Sequence, residues 1–532
     1  MNPNDYFKLI DETYAKYDSA EVEKVIKQTI EMSGDEFGTD SSIYVALLSE
    51  LGGFYRSEGR YLESEDYFKR ALSVLEMCGN GDSANYATVL NNLAGTYRRM
   101  RAYDKAETTF AQCLSMYKRH IGETNEVYAS GLNNLGLVQI DLKNYTKALE
   151  YFNQANSILD QLPNGQYEKA TTLSNMASLY YQDGKYQAAV THVNQALDIF
   201  KKLNVTKSEH YDAAKNLYEI LNDKIKNIKG IELARAYFYE IALPVFKEKC
   251  QELLECASFG LAGEGSECFG FDDDISKDHN WGPGFCIWLG EDDYNKYGEL
   301  ASKLYDALPK EYLGYRRINQ TEMTLGRVGV IKSEDFFNKF LGTNSKPDSI
   351  LSWRLLPESG IATAVNGEVW IDNNKEFSSL RSALKEFYPE DIKKKKLAMN
   401  LALAAQAGPY NYYRCIQRGE KAAAFLAASE FISHIQQAVF LMNNQYWPYY
   451  KWTNKAMHML SIVGADVAEI IDNMVSKDDM SKDIELICSK VIEALKSLGY
   501  TKCNSDFLLH HAEEIQLSID NEDLRELHII AC

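Results

Sequence analysis

The residues in this chain best suited to chemistry lie in one stretch, "GLAGEGSECFGFDDDISKDHNWGPGFCIWL", Gly260 to Leu289. An apolar run ends in Gly-Glu-Gly-Ser, four aspartates and a histidine follow, and a second apolar run closes the stretch. One reading is an active site built on a hairpin; the other is an acidic surface loop. Several common chemistries are excluded. An acid-rich loop rather than a helix follows "GEGSECFG", so this is not a dinucleotide fingerprint, and without Gly-Lys-Ser/Thr it is not a Walker loop. Ser266 lacks the context of a nucleophile elbow. The nine histidines include no HExxH, and His510 and His511, as neighbours on a helix, face different ways.

Such a loop must be held by its flanking elements. "CASFGLAG" reads as a buried strand before it, and "GFCIWL" as a strand after it that leads into the helix "DDYNKYGELASKLYDAL". "RVGVI" is a third strand, and "SEDFFNKFLG" starts as a helix behind a Ser cap. Upstream, "IELARAYFYEIALPVFKEKCQELL" has helical apolar spacing. Strand, Gly-Ser turn, acidic loop and second strand is the arrangement that opens a nucleotidyltransferase core.

A chain of 532 residues with 45% apolar content is too long for one core and rich enough to fill two to four. Its formal charge of −19 argues against coating nucleic acid or an anionic membrane. Ten cysteines without a CxxC pair, and a polar start without an apolar h-region, point to the reducing cytoplasm. No apolar stretch reaches the ~18 residues of a membrane span.

The first two fifths repeat. "VLNNLAGTYRRMRAYDKAETTFAQCL", "GLNNLGLVQIDLKNYTKALEYFNQAN" and "TLSNMASLYYQDGKYQAAVTHVNQAL" follow one another, and Tyr61, Tyr103, Tyr145 and Tyr186 fall at steps of 42, 42 and 41. Each unit resembles a tetratricopeptide repeat, and the long period resembles the kinesin-light-chain variety. A helix pair of this kind cannot bury its apolar face alone, so stacking supplies the core and leaves a concave groove. The units fall near 44–80, 86–122, 128–162 and 169–203, with capping helices either side, within a superhelix over 1–228. One position in the first helix of each unit reads Glu50, Asn92, Asn134, Asn175 and then Asn216. Resemblance to peptide-binding arrays implies that it faces the groove, where an amide can pair with an extended peptide backbone. The alternative is that Asn fills a crowded helix seam.

"GEGSECFGFDDDISKDHNWGP", with "YYRCIQRGEKAAAFLAASEFISHIQQAVFLMNNQYWPYYKW" far downstream, resembles the family DUF4037, in which nucleotidyltransferase-like sequence precedes a helical region. The resemblance implies a nucleotidyltransferase-like α/β domain over 229–385, a helical bundle over 386–532, and transfer of a nucleoside monophosphate from an NTP, with Mg²⁺ as cofactor. In such folds a Gly-Ser turn meets the phosphates and carboxylates hold the metal. Here Gly265 and Ser266 are that turn. Asp278, twelve positions after Ser266, falls at the first carboxylate. Asn280 occupies the second and brings no charge, and Val328, Gly329 and Val330 provide no third. Asp272, Asp273 and Asp274, with His279, either supply the missing charge or are solvated turn residues.

The remaining sequence reads as helices separated by Gly, Pro or Asn. Arg414, Arg418, Glu420, Tyr449, Lys451 and Trp452 lie in its most family-like stretches, where Arg418 and Lys451 could hold phosphate and the aromatics could stack or be core. Lys393 to Lys396 read as a solvated helix face. The expected protein is multidomain, α and α/β: a tetratricopeptide solenoid binding a peptide or protein, a nucleotide-using α/β domain and a helical bundle. The competing reading is a non-catalytic scaffold or sensor that carries a degenerate transferase fold.

Overall fold

The computed structural model describes residues 3–16, 18–278, 281–318 and 326–531. The chain divides into two compact units, Met1–Asn227 and Ile228–Cys532.

In the first unit, α1 (Pro3–Tyr14) and α2 (Ser19–Phe37) precede four helix hairpins: α3 (Ser42–Ser57) with α4 (Tyr61–Met77), α5 (Ala84–Arg99) with α6 (Tyr103–His120), α7 (Glu126–Asp141) with α8 (Tyr145–Leu159), and α9 (Gln166–Gln182) with α10 (Tyr186–Lys202). Helix α11 (Glu209–Lys226) packs on α10 and α9. The repeat is written in local chemistry. Ser41, Ser83 and Asn125 cap the first helices by accepting the N–H of Tyr44, Tyr86 and Tyr128 at 3.3, 3.2 and 2.9 Å. Each hairpin then turns on one residue with positive φ: Gly59, Arg101, Lys143 and Gly184. A small residue where the two helices of a hairpin cross admits a ring from the second helix. A Cβ on Gly52 would lie 3.0 Å from Phe68, and one on Gly136 only 2.5 Å from Phe152. Ala94 and Ala177 hold that position in the other two units, and both are buried.

The second unit is built on a four-stranded sheet ordered β5-β2-β1-β6. β1 (Ser258–Leu261) runs antiparallel to β2 (Cys286–Leu289) and to β6 (Glu368–Asp372), while β5 (Gly329–Lys332) lies parallel to β2. A short hairpin of β3 (Glu311–Tyr312) and β4 (Tyr315–Arg316) stands apart. The expected strands at "CASFGLAG", "GFCIWL" and "RVGVI" are thus present, and β6, in "GEVWID", joins them. Every residue of β1 and β2 is buried, as strands covered on both faces must be. On one face Phe259 and Phe285 pack around Phe238. On the other, Trp288 stacks on Phe377 with ring centroids 4.4 Å apart. That second face continues without a break into the C-terminal helices, so Leu261, Trp288, Leu401, Phe431, Val491 and Leu524 belong to one hydrophobic core.

The helix Glu390–Ala405 corrects the expected solvated lysine face, since Lys393, Lys395 and Lys396 are buried. Lys395 Nζ donates to Gln516 Oε1 at 2.9 Å and to the carbonyls of Leu527 and His528 at 3.2 and 2.9 Å. Lys393 and Lys396 lie over the rings of Tyr500 and Tyr388, and Lys394 donates to the Ser518 carbonyl. The aliphatic stems complete the core while each ammonium reaches an acceptor or a ring.

Candidate functional site

After β1 the chain leaves the sheet through two glycines in conformations closed to other residues, Gly263 at φ +112 and Gly265 at φ +135. Asn366 clamps this turn, accepting from the Gly263 N–H and donating to the Gly263 carbonyl, both at 2.8 Å. Gly265 is also required sterically: a Cβ there would lie 2.6 Å from both Arg327 Nη2 and Glu267 Oε2. Those two side chains form an ion pair beneath the turn, with Glu267 buried. The Gly-Ser turn is therefore fixed from below by a charge pair and from the side by an amide.

The acidic loop resolves into separate jobs. Asp272 is buried; its Oδ2 accepts the backbone N–H of Gly230 at 2.7 Å and Trp281 Nε1 at 3.1 Å, and so ties the loop to the start of helix Gly230–Tyr237. Asp273 Oδ1 accepts the N–H and hydroxyl of Ser276, and these bonds hold its carboxyl below the ordinary range. Asp274 is 98% exposed and pairs with Lys277 at 3.0 Å. Asp278 ends the short turn Ser276–Asp278, while its side chain and the whole of His279 and Asn280 lie outside the described residues. Among the described residues, no three His, Cys, Asp or Glu side chains gather as a metal would need. The described aspartates do not gather as a Mg²⁺ site: Asp272 turns its Oδ2 to two donors, Asp273 its Oδ1 to Ser276, and Asp274 pairs with a lysine.

Gly265 and Ser266 line a cavity of about 540 Å³ with Glu267, Phe271, Asp273, Ile275, Ser276, Arg327, Lys451, Trp452 and Lys455. A second cavity of about 380 Å³ shares Gly265 and Trp452 with it and is walled by Phe269, Phe340, Pro357, Gly360, Tyr449 and the ion pair of Glu264 with Lys339. The Trp452 and Phe269 rings lie 5.2 Å apart at 32°. The first cavity holds Arg327, Lys451 and Lys455 with Glu267 and Asp273, and the second includes the rings of Phe269, Phe340, Tyr449 and Trp452.

The structure thus brings Gly265, Ser266 and Lys451 together. Arg418 is exposed in the turn before helix Lys421–Met442 and lines neither cavity. Trp452 and Tyr449 are wall rather than core. Arg327 and Lys455 escaped sequence reasoning. Lys455 lies one helical turn beyond Lys451 in Tyr450–Met457, a spacing that puts both on one face and could have revealed it. Arg327 lies two residues before β5 and carried no signal.

In the first unit, Asn134 Nδ2 donates to Asn91 Oδ1 and Asn175 Nδ2 to Asn133 Oδ1, both at 3.1 Å. Each groove-position amide is thus joined to the preceding repeat, and the bond leaves its own carbonyl and second N–H outside it. Asn216 is exposed. Glu50 holds the same position in the first unit, where burial pushes its carboxyl above the usual range, with Asp11 adding to the effect.

No helix among the described residues is long and apolar enough to cross a membrane. Residues 44–119 and 127–202 match the tetratricopeptide repeat, and residues 353–453 match a domain of unknown function, DUF4037. The latter supplies Pro357, Gly360, Tyr449, Lys451 and Trp452 of the cavity walls; the Gly-Ser turn lies outside it. No curated protein matches the chain. Among solved structures, BtubC (BKLC) from P. vanneervenii is similar at 24% identity, covering 37% of this chain and 80% of its own, with a TM-score of 0.33. The nearly identical TPR-like repeats from Podosopora anserina are 14% identical over 38% of this chain and 97% of theirs, at 0.31. The apo form of RapI is 16% identical over 45% and 92%, at 0.33. The repeats support a protein or peptide partner. The chain carries an N-terminal tetratricopeptide array and, in its second unit, a DUF4037 domain.

Proposed function

We propose that the second unit binds a nucleotide across its two adjacent cavities and that the array docks a peptide. The phosphates would lie at the Gly265–Ser266 turn opposite Lys451 and Lys455, and the base beside Trp452 and Phe269. What supports this is one observation: the glycine turn and the lysines line one cavity, and the neighbouring cavity that shares Gly265 and Trp452 with it is lined by the rings of Phe269, Phe340 and Tyr449. The combined space suits a ligand of this size, since such pockets run to about 300–1,000 Å³. Nucleotidyl transfer is the reaction this reading carries, with Asp278 and Asn280 as the residues that would hold Mg²⁺.

Calorimetry with ATP, GTP, CTP and UTP tests the binding step. The double variant Lys451→Ala/Lys455→Ala should bind at least about tenfold more weakly, because each charged hydrogen bond to phosphate is worth ~1.5–3 kcal/mol. Unchanged affinity in that variant, or no binding by the wild type, would sink the reading. Transfer is tested with labelled NTP, Mg²⁺ and cell extract, where Asp278→Ala should lose the label. A second reading, in which the unit binds nucleotide without turnover, is favoured by the commitment of Asp272 to Gly230 and of Asp274 to Lys277, and by the neutral Asn280.

A further inference from the structure

A third cavity in the second unit, of about 400 Å³, shares Phe271 with the cavity of the Gly-Ser turn and Phe269 with the ring-lined one beside it. Its walls differ in kind from theirs. Phe440, Tyr446, Pro448, Met459 and Leu460 surround it, and among the described residues no charged side chain lines it. The polar groups of its wall are turned elsewhere: Tyr446 donates its hydroxyl to the Leu384 carbonyl at 2.7 Å, Asn366 bonds to Gly263, and Gln445 is exposed to solvent.

This cavity is joined to the phosphate side of the site by shared parts. Lys455 and Ala456 are consecutive in helix Tyr450–Met457, where the lysine lines the cavity of the Gly-Ser turn and the alanine lines the third. Lys455 Nζ donates to the Phe271 carbonyl at 3.3 Å and stands 5.5 Å from the centre of the Phe271 ring, so a cation of the first cavity holds the residue that walls both. Asn366, which lines the third cavity, is also the amide that clamps Gly263, two residues before Gly265. A ligand in the third cavity would bear on the Gly-Ser turn through it.

We propose that the third cavity seats a second ligand of the nucleotide site, a small uncharged molecule with an aromatic body. This rests on the nucleotide reading above. A sugar, a peptide backbone or a second nucleotide would leave its polar groups without partners against these walls, which costs more than apolar contact returns. An aromatic body strands nothing there. It can meet the rings of Phe269, Phe271, Phe440 and Tyr446 edge-on or offset, with the adaptable Met459 thioether against its edge. The volume falls within the range of small-molecule sites, about 300–1,000 Å³. Because Ala456 directly follows Lys455, such a ligand lies next to the lysine assigned to the phosphates.

The test is calorimetric titration of the full chain with 2-naphthol, alone and with a saturating amount of whichever NTP binds most tightly. One molecule should bind per chain with a Kd of about 100 µM or below, and glucose should give no binding heat. The nucleotide should leave that affinity within about threefold or tighten it, since the two ligands occupy different cavities. Ala456→Phe sets a ring in the third cavity and should weaken 2-naphthol at least about tenfold, with nucleotide affinity held within about threefold. Val475→Phe, at an exposed position that lines no cavity described above, should change neither. Should Ala456→Phe fail to fold, Met459→Lys puts a charge in the same wall at a residue 76% exposed, and should weaken 2-naphthol at least about threefold. No binding of 2-naphthol, unchanged affinity in the wall variants, or displacement of 2-naphthol by the nucleotide would overturn this site and leave the nucleotide reading standing. If 2-naphthol binds as expected and no NTP binds, the nucleotide reading falls and takes with it the role of this ligand as a second one.

Discussion

Asp272 Oδ2 accepts the backbone N–H of Gly230 at 2.7 Å across 42 residues, so the first aspartate of the acidic loop caps the helix that opens the second unit. The same oxygen takes the indole N–H of the buried Trp281. One carboxylate thereby joins the loop, the helix and the strand approach behind it.

Asp272→Ala should therefore destabilise the second unit by ~2–4 kcal/mol, since it strands two buried donors and removes a helix cap. Asp274→Ala, two residues away and exposed, should stay within about 0.5 kcal/mol. Urea unfolding of the two variants measures the contrast, and equal effects would mean that the loop is solvated throughout.

The array should weaken as pH rises through neutrality. Burial, then a hydrogen bond and like charge from Glu126, push the Glu168 carboxyl up to about 7. A raised carboxyl pKa means that the fold favours the protonated form. Its contribution is complete below the ordinary range near 4.5 and is lost as pH climbs through about 7. Thermal melts between pH 5 and 8.5 should show this decline, and Glu168→Gln should flatten it. The effect is moderate because the group is partly exposed and water screens it.

Lys395→Met should cost ~2–4 kcal/mol, because Gln516 and the Leu527 and His528 carbonyls lose a charged donor in a buried place. Lys394→Met, which loses a single bond at an exposed position, should cost under about 1 kcal/mol. Hydrogen exchange over 516–530 should rise in the first variant and hold in the second.

The array was legible because its chemistry is local. The Ser41, Ser83 and Asn125 caps and the Gly136–Phe152 contact recur at a fixed period, and a period survives in sequence. The strands at "CASFGLAG" and "GFCIWL" were legible as apolar runs, whereas β6 was hidden because its residues are only half-buried and its partner lies about 110 residues away. The lysines of Glu390–Ala405 misled for a physical reason: charge pattern alone cannot reveal that carbonyls some 130 residues downstream are waiting for an ammonium. In the candidate site the Gly-Ser turn and Lys451 announced themselves by residue type. Arg327 did not, since an arginine before a strand is ordinary until Glu267 is found beneath it.

The core that runs from Trp288 to Leu524 also bears on how this protein is made. Each helix pair of the array closes on its neighbour within a few dozen residues, so the first unit can fold behind the ribosome as it emerges. The second cannot do the same. Its sheet needs β6, 114 residues after its partner Ser258, and its central helix holds a buried lysine whose acceptors lie at residues 516–528. Until those have been synthesised, Lys395 and the apolar faces around it stand open to water. For the time it takes to translate that interval, a finished array precedes an unfinished body, and the nascent chain is at its most vulnerable to aggregation and to chaperone capture.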